Sequence, residues 1–139
     1  MSETILVPID GSEESFKGLK YACGLAKRID ASLLVLHVVA FPYMMEPVYI
    51  DPEPFISAGK LILKSAETAL TTQTCDDARY DIVEKWGNPG NAIVKYAEEH
   101  DCTQIVMSAR GHTPFTHLLL GSVSDYVIHH APCPVTIVR

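Results

Sequence analysis

Two glycines near the end of the chain frame a segment with the features of a phosphate-binding site. Gly111 and Gly121 are separated by nine residues, and Gly121-Ser122-Val123 opens a predicted helix. The first amides of a helix lack intrahelical acceptors and the helix dipole is positive there, so this position favours an anion. Asp10-Gly11 follows an apolar run at the start of the chain. The positions of these two segments in the fold decide whether they act on one ligand.

The elements that position them alternate along the chain between apolar runs and helical patterns, which is typical of a parallel α/β sheet. Strands are predicted over 4–9, 32–39, 79–86, 103–107 and 135–138, and the proline-rich stretch 41–54 is a predicted crossover loop. Helices are predicted over 13–29, about 53–74, 89–100 and 122–130. Ser12 and Asn88 are of the residue types that cap helix N-termini.

The composition limits the classes of function. A chain of 139 residues forms one domain, and its net charge of -6 argues against nucleic-acid binding. No apolar stretch of about 18 residues and no signal peptide occur, so we expect a cytoplasmic protein without a membrane partner. Because the four cysteines, at 23, 75, 102 and 133, form no CxxC pair, we expect reduced thiols packed in the core.

Ligands of open parallel sheets bind outside the carboxyl ends of the strands, where the strand order reverses. The residues at these ends are Pro8, Ile9, Asp10, His37, Val38, Met107 and Ser108. His37 lies within an apolar strand, and we interpret it as a hydrogen-bonded core histidine and not as a base. Asp10 also suits a simple turn-and-cap role, and both glycines suit simple turns.

Three segments, ILVPIDGSEES, LLVLHVV and IVMSARGHTPFTHLLLGSVSDYVIHHAPCPVTIV, resemble the universal stress protein family, and the resemblance covers essentially the whole chain. It implies one universal stress protein domain over 1–139, a doubly wound five-stranded parallel sheet of order 3-2-1-4-5 with helices on both faces. Nucleotide-binding members carry Gly-x2-Gly-x9-Gly-Ser/Thr. Gly111, Gly121 and Ser122 match this motif, whereas Ser108 stands where the first glycine belongs.

The resemblance implies an adenine nucleotide (ATP, ADP or AMP, with Mg²⁺ as a further ligand) between the first and fourth strands. Asp10 would bind the ribose, the backbone of Ile9 and Val38 would meet the adenine, and Arg110 would add charge. Gly111, Gly121, Ser122 and Val123 would surround the phosphates. Ser108 adds a Cβ that would crowd the ligand, but its hydroxyl can also bond a phosphate or ribose oxygen. The candidate binding residues are therefore Pro8, Ile9, Asp10, Val38, Met107, Ser108, Arg110, Gly111, Gly121, Ser122 and Val123.

Two functions remain open from the sequence. The first is a stress-response or regulatory module that binds an adenine nucleotide, with at most slow ATP hydrolysis, since no GxxxxGK[ST] loop or GxGxxG turn occurs. The second is a nucleotide-free dimeric interaction protein in which Ser108 closes the site.

A phospho-receiver domain is excluded because VPIDGS has one acid and VTIVR lacks a lysine, and a flavodoxin-like domain is excluded because no phosphate loop follows the first strand. As a predicted edge strand, 135–138 favours a homodimer, with an unidentified protein as a further partner.

Overall fold

The computed structural model describes residues 2–42, 48–72, 75, 78–109 and 120–139. Strands and helices alternate along these residues as the sequence predicts. The elements are β1 (Thr4–Ile9), α1 (Glu13–Ile29), β2 (Ser32–Val39), α2 (Glu53–Thr72), β3 (Tyr80–Trp86), α3 (Pro89–Glu99), β4 (Gln104–Ser108), α4 (Ser122–His130) and β5 (Val135–Val138).

One parallel sheet in the order β3-β2-β1-β4-β5 forms the centre of the fold, which confirms the predicted topology. β1 pairs with β2 on one side and with β4 on the other. Five of the six residues of β1 and four of the five residues of β4 are buried. Both strands are therefore continuous apolar runs, because helices cover them on both faces.

Two hydrophobic clusters lie on opposite faces of the sheet. In the first, Ile5 and Val7 of β1 pack with residues of α1 and α2, including Leu19. In the second, Leu6 of β1 packs with residues of α3 and α4, including Val127. Successive residues of a strand point to opposite faces, so these clusters show which helices cover each residue of β1.

The caps of α1 and α3 follow the sequence signals. The Ser12 hydroxyl accepts a hydrogen bond from the Ser15 amide at 3.1 Å, and Asn88 Oδ1 accepts one from the Asn91 amide at 3.1 Å. α1 ends at Ile29, and its C-cap residue, Asp30, adopts the left-handed conformation with a φ of 55°. In the described parts of the chain, no helix is long and apolar enough to span a membrane.

The expectation of four reduced thiols is wrong for two of them. A disulfide joins Cys23 of α1 to Cys75, which follows α2, and their Cα atoms are 5.4 Å apart. The two residues are separated by 52 positions, so only the packing of α1 against the chain after α2 brings them together. Cys102 and Cys133 are free, and burial raises the pKa of the Cys102 thiol to about 11.

Candidate functional site

The strand order reverses between β1 and β4. The chain goes from β1 outward through β2 to β3 and then crosses to β4 on the other side of β1. In open α/β sheets the ligand crevice lies at such a switch point, outside the carboxyl ends of the strands, which are here β1 and β4. Ile9 ends β1, and Ser108 ends β4 one residue later than the sequence predicts.

The candidate residues at this edge divide between the two faces of the sheet. Val38 and Met107 pack in the cluster beneath α3 and α4, together with Val123 of α4. Ile9 packs in the opposite cluster beneath α1 and α2. Strand alternation assigns Ser108, which follows Met107, to the same face as Ile9. The side chains therefore do not line one continuous surface, and the α4 face collects Val38, Met107 and Val123.

Asp10 organises the turn between β1 and α1. Its Oδ1 accepts hydrogen bonds from the Ser12 amide at 2.9 Å and from the Ser12 hydroxyl at 2.5 Å. Gly11 has a φ of 87°, a left-handed conformation that favours glycine. The turn-and-cap role anticipated for Asp10 is thus present, and its contact with a ribose stays a prediction.

The start of α4 is attached directly to the end of β4. The Gly121 amide donates to the Ala109 carbonyl at 2.7 Å, and the Ser124 hydroxyl donates to the same carbonyl at 2.6 Å. These bonds join Ala109 to Gly121 and Ser124. The intervening segment 110–119 lies outside the described residues, and it contains the candidates Arg110 and Gly111. A carbonyl that accepts two hydrogen bonds therefore holds the first turn of α4 at the sheet edge.

Ser124 is a residue of this site that the sequence reasoning missed. It is buried, and its hydroxyl is also 3.1 Å from the Gly121 carbonyl. The available signal was its position three residues before the apolar Val127, which places both on the inward side of a helix. That spacing indicates an inward hydroxyl, but not the carbonyl that it contacts.

The amides at the start of α4 differ in what they can offer a ligand. The Gly121 amide is already bonded to Ala109, so it is not available to a phosphate. The first intrahelical bond runs from the Asp125 amide to the Gly121 carbonyl at 2.9 Å. The amides of Ser122, Val123 and Ser124 precede it, and the Ser122 side chain is exposed. These three amides and the Ser122 hydroxyl are the donors that the described part of α4 presents to an anion.

α1 packs against the end of β4 at Gly18. A Cβ added to Gly18 would be 3.4 Å from the Ser108 amide nitrogen and 3.6 Å from the Met107 carbonyl carbon. A side chain at this position would therefore contact the peptide that joins these two residues, and Ser108 is buried. The Ser108 side chain belongs to the face of the sheet that α1 covers. Its crowding of a ligand stays a prediction.

His37 forms a hydrogen-bonded pair beneath α2, as expected for a core histidine. Its Nδ1 is 3.1 Å from Oε2 of Glu84 on β3. A Cβ at Gly59 of α2 would lie 2.5 Å from the same carboxylate oxygen, so the absent side chain makes room for the pair. In the described part of the chain, no three His, Cys, Asp or Glu side chains are grouped to hold a metal ion.

The fold defines the class of protein: a doubly wound parallel α/β domain whose strand order reverses between β1 and β4. The model of the universal stress protein family matches residues 1–139, and the chain belongs to this family. It is 35% identical over 149 residues to the universal stress protein YxiE of Bacillus subtilis, with 100% of both chains covered.

Two solved structures share the fold. One is a universal stress protein in complex with cAMP, with 22% identity, a TM-score of 0.75, and coverage of 99% of this chain and 97% of that chain. The other is the universal stress protein from Archaeoglobus fulgidus in complex with dAMP, with 20% identity, a TM-score of 0.73, and coverage of 100% and 98%.

Proposed function

We propose that this universal stress protein binds an adenine nucleotide at the carboxyl ends of β1 and β4. The observation that carries the proposal is the attachment of α4 to Ala109, which holds the open amides of Ser122 and Val123 at this edge. Helix N-terminal amides bind phosphate well because the donors and the helix dipole act together. The module would serve stress response or regulation.

The remaining roles follow the family resemblance. Asp10 would bind the ribose hydroxyls, and the backbone of Ile9 and Val38 would meet the adenine. Pro8 and Met107 would line the base side, and Arg110 and Gly111 would reach the phosphates from the segment before α4. Gly121 would shape the turn and would not donate, since its amide is bonded to Ala109. The domain would extend over 1–139.

The two complexes with cAMP and dAMP support the proposal at the level of the fold, because they show that proteins of this architecture hold adenine nucleotides. With ATP, Mg²⁺ would take its ligands mainly from phosphate and water, as is usual for this ion. The described residues, which lack a grouped set of metal-binding side chains, are compatible with that arrangement.

Calorimetry with AMP and ATP tests the proposal on the wild type and on Asp10→Asn. Asparagine retains an oxygen for the bond from the Ser12 amide but loses the charge that strengthens hydrogen bonds from ribose hydroxyls. We expect a loss of affinity of about ten-fold. Asp51→Asn is the matched control, because Asp51 Oδ1 accepts a hydrogen bond from the Glu53 amide at 3.0 Å in the same local geometry. Failure of the wild type to bind either nucleotide below millimolar concentration would reject the proposal.

Ser108 favours a second candidate, the nucleotide-free interaction protein. It replaces a glycine of the nucleotide motif, and it is buried against α1. If the added side chain limits binding, Ser108→Gly tightens the affinity for AMP. A weaker affinity would instead identify the hydroxyl as a useful contact, and an unchanged affinity would show that the side chain does not limit binding. Mass spectrometry of small molecules released from the purified protein separates the two functions directly.

A homodimer through β5 would suit either function. β5 pairs with β4 and is the last strand of the sheet order, and its four residues are half-buried. An edge strand presents unpaired backbone groups that a second copy can satisfy around a two-fold axis. Light scattering on the wild type and on Ile137→Lys tests this, with circular dichroism to verify folding. A monomeric wild type, or a folded Ile137→Lys dimer, would contradict it.

A further inference from the structure

Arg139 follows β5 at the carboxyl edge of the sheet, the edge at which the proposed site lies. β5 pairs in parallel with β4, and Val138 is opposite Ser108, so Arg139 follows at the level of Ala109. The Ala109 amide donates to the Val138 carbonyl at 3.1 Å, which joins the ends of the two strands. Arg139 is thus at the carboxyl edge, beside the residue to which α4 is attached.

Arg139 also belongs to the face of the sheet that α4 covers. Val135 and Ile137 pack in the cluster beneath α3 and α4, whereas Val138 packs in the opposite cluster. Because side chains alternate along an extended chain, Arg139 continues the row of Val135 and Ile137. The Gly121 amide donates to the carbonyl of Ala109, which follows β4 and lies at the level of Arg139. Arg139 and the first turn of α4 therefore flank the same strand end.

Arg139 adds a positive charge to this region. Its side chain is exposed, and it takes part in none of the ion pairs among the described residues. The chain has a net charge of -6, and the first turn of α4 carries Asp125. The amides and the hydroxyl at the start of α4 are neutral, whereas each further phosphate of a nucleotide adds negative charge that a nearby cation stabilises.

We propose that Arg139 binds the phosphate chain beyond the first phosphate, so that the site prefers nucleoside di- and triphosphates to monophosphates. A guanidinium presents a planar set of donors that matches two phosphate oxygens at once. The inference rests on the proposed nucleotide binding, and it assigns the specificity for phosphate number to Arg139, the residue that follows β5. The amides of Ser122 and Val123 then hold the phosphate that all adenine nucleotides share.

The test compares the affinities for AMP, ADP and ATP in the wild type and in Arg139→Gln. We expect the affinity of Arg139→Gln for ATP to fall about ten-fold, the effect of one exposed charge-assisted contact. The affinity for AMP stays as in the wild type. In the wild type, added salt lowers the ratio of ATP to AMP affinity, and in Arg139→Gln this dependence is weaker. Arg139→Lys gives an intermediate ratio, since it keeps the charge but loses the planar geometry.

Arg28→Gln is the matched control. Arg28 is exposed in the last turn of α1, at the opposite edge of the sheet, so its replacement removes the same charge far from the site. Equal losses of ATP affinity in the two variants would refute the inference, as would an equal loss of AMP and ATP affinity in Arg139→Gln. If Arg139→Gln loses ATP affinity and also changes its molar mass in light scattering, the inference is refuted as well. A wild type that binds no nucleotide rejects the proposed function itself, whereas nucleotide binding unaffected by Arg139→Gln rejects this inference alone.

Discussion

Ser124→Ala separates the stability of the α4 attachment from the binding of a ligand. The Ser124 hydroxyl donates to the Ala109 carbonyl at 2.6 Å and is itself buried. Replacement by alanine removes this hydrogen bond with almost no change in volume. The carbonyl keeps its second donor, the Gly121 amide at 2.7 Å, so no buried acceptor is left unsatisfied.

The expected magnitude follows from that remaining bond. A hydrogen bond whose loss leaves no unsatisfied partner contributes about 1 kcal/mol to the free energy of unfolding. For a domain of this size, the loss lowers the melting temperature by about 4 °C. Urea denaturation monitored by circular dichroism gives the free energy, and a scan of ellipticity against temperature gives the melting temperature.

Ser122→Ala is the matched control on the same helix turn. Ser122 is exposed and directed away from the core, so its replacement leaves the free energy of unfolding unchanged. If its hydroxyl contacts a phosphate, the affinity for AMP falls about ten-fold. A Ser124→Ala variant as stable as the wild type would refute the attachment by this hydroxyl. An equal loss of stability in both variants would show that any change at the start of α4 has this effect.

Two further predictions concern packing away from the site. A Cβ added to Gly90 would lie 2.8 Å from Cδ1 of Tyr126, so Gly90→Ala destabilises the contact between α3 and α4 by about 1–3 kcal/mol in urea denaturation. Gly24→Ala is its control, since nothing lies within 4 Å of the added atom, and this variant gains about 0.5–1 kcal/mol. Reduction of the Cys23–Cys75 disulfide lowers the free energy of unfolding by about 4 kcal/mol, because the bond closes a loop across a sequence separation of 52. Denaturation with and without dithiothreitol measures this, and a Cys75→Ala variant that still responds to the reductant would contradict it.

Local signals in the sequence determined most of the secondary structure. β1, β2 and β5 have the predicted bounds, because each is an apolar run with a turn or proline signal at one of its ends. Ser12 and Asn88 cap the predicted helices, because the cap depends on a side chain and the amide three residues later. The strand order came from the family resemblance and not from periodicity, since an apolar pattern does not specify neighbours in a sheet.

The sequence also identified the segments at the carboxyl edge, but not how they are held. The bonds from Gly121 and Ser124 to Ala109 join residues on either side of the segment 110–119, and no local pattern specifies which carbonyl an inward hydroxyl will meet. The same holds for Glu84 as the partner of His37, because that pairing depends on the register of β2 and β3.

Only the tertiary structure brought Cys23 to Cys75 and Arg139 to the edge of the proposed site. In the sequence, Arg139 follows a short apolar strand and is 29 positions from Arg110. The parallel register of β5 on β4 places it beside Ala109, and the alternation of side chains assigns it to the face of α4. Sequence patterns report on the nearest few residues, whereas these positions depend on the packing of whole elements, which is decided only when the sheet and its helices assemble.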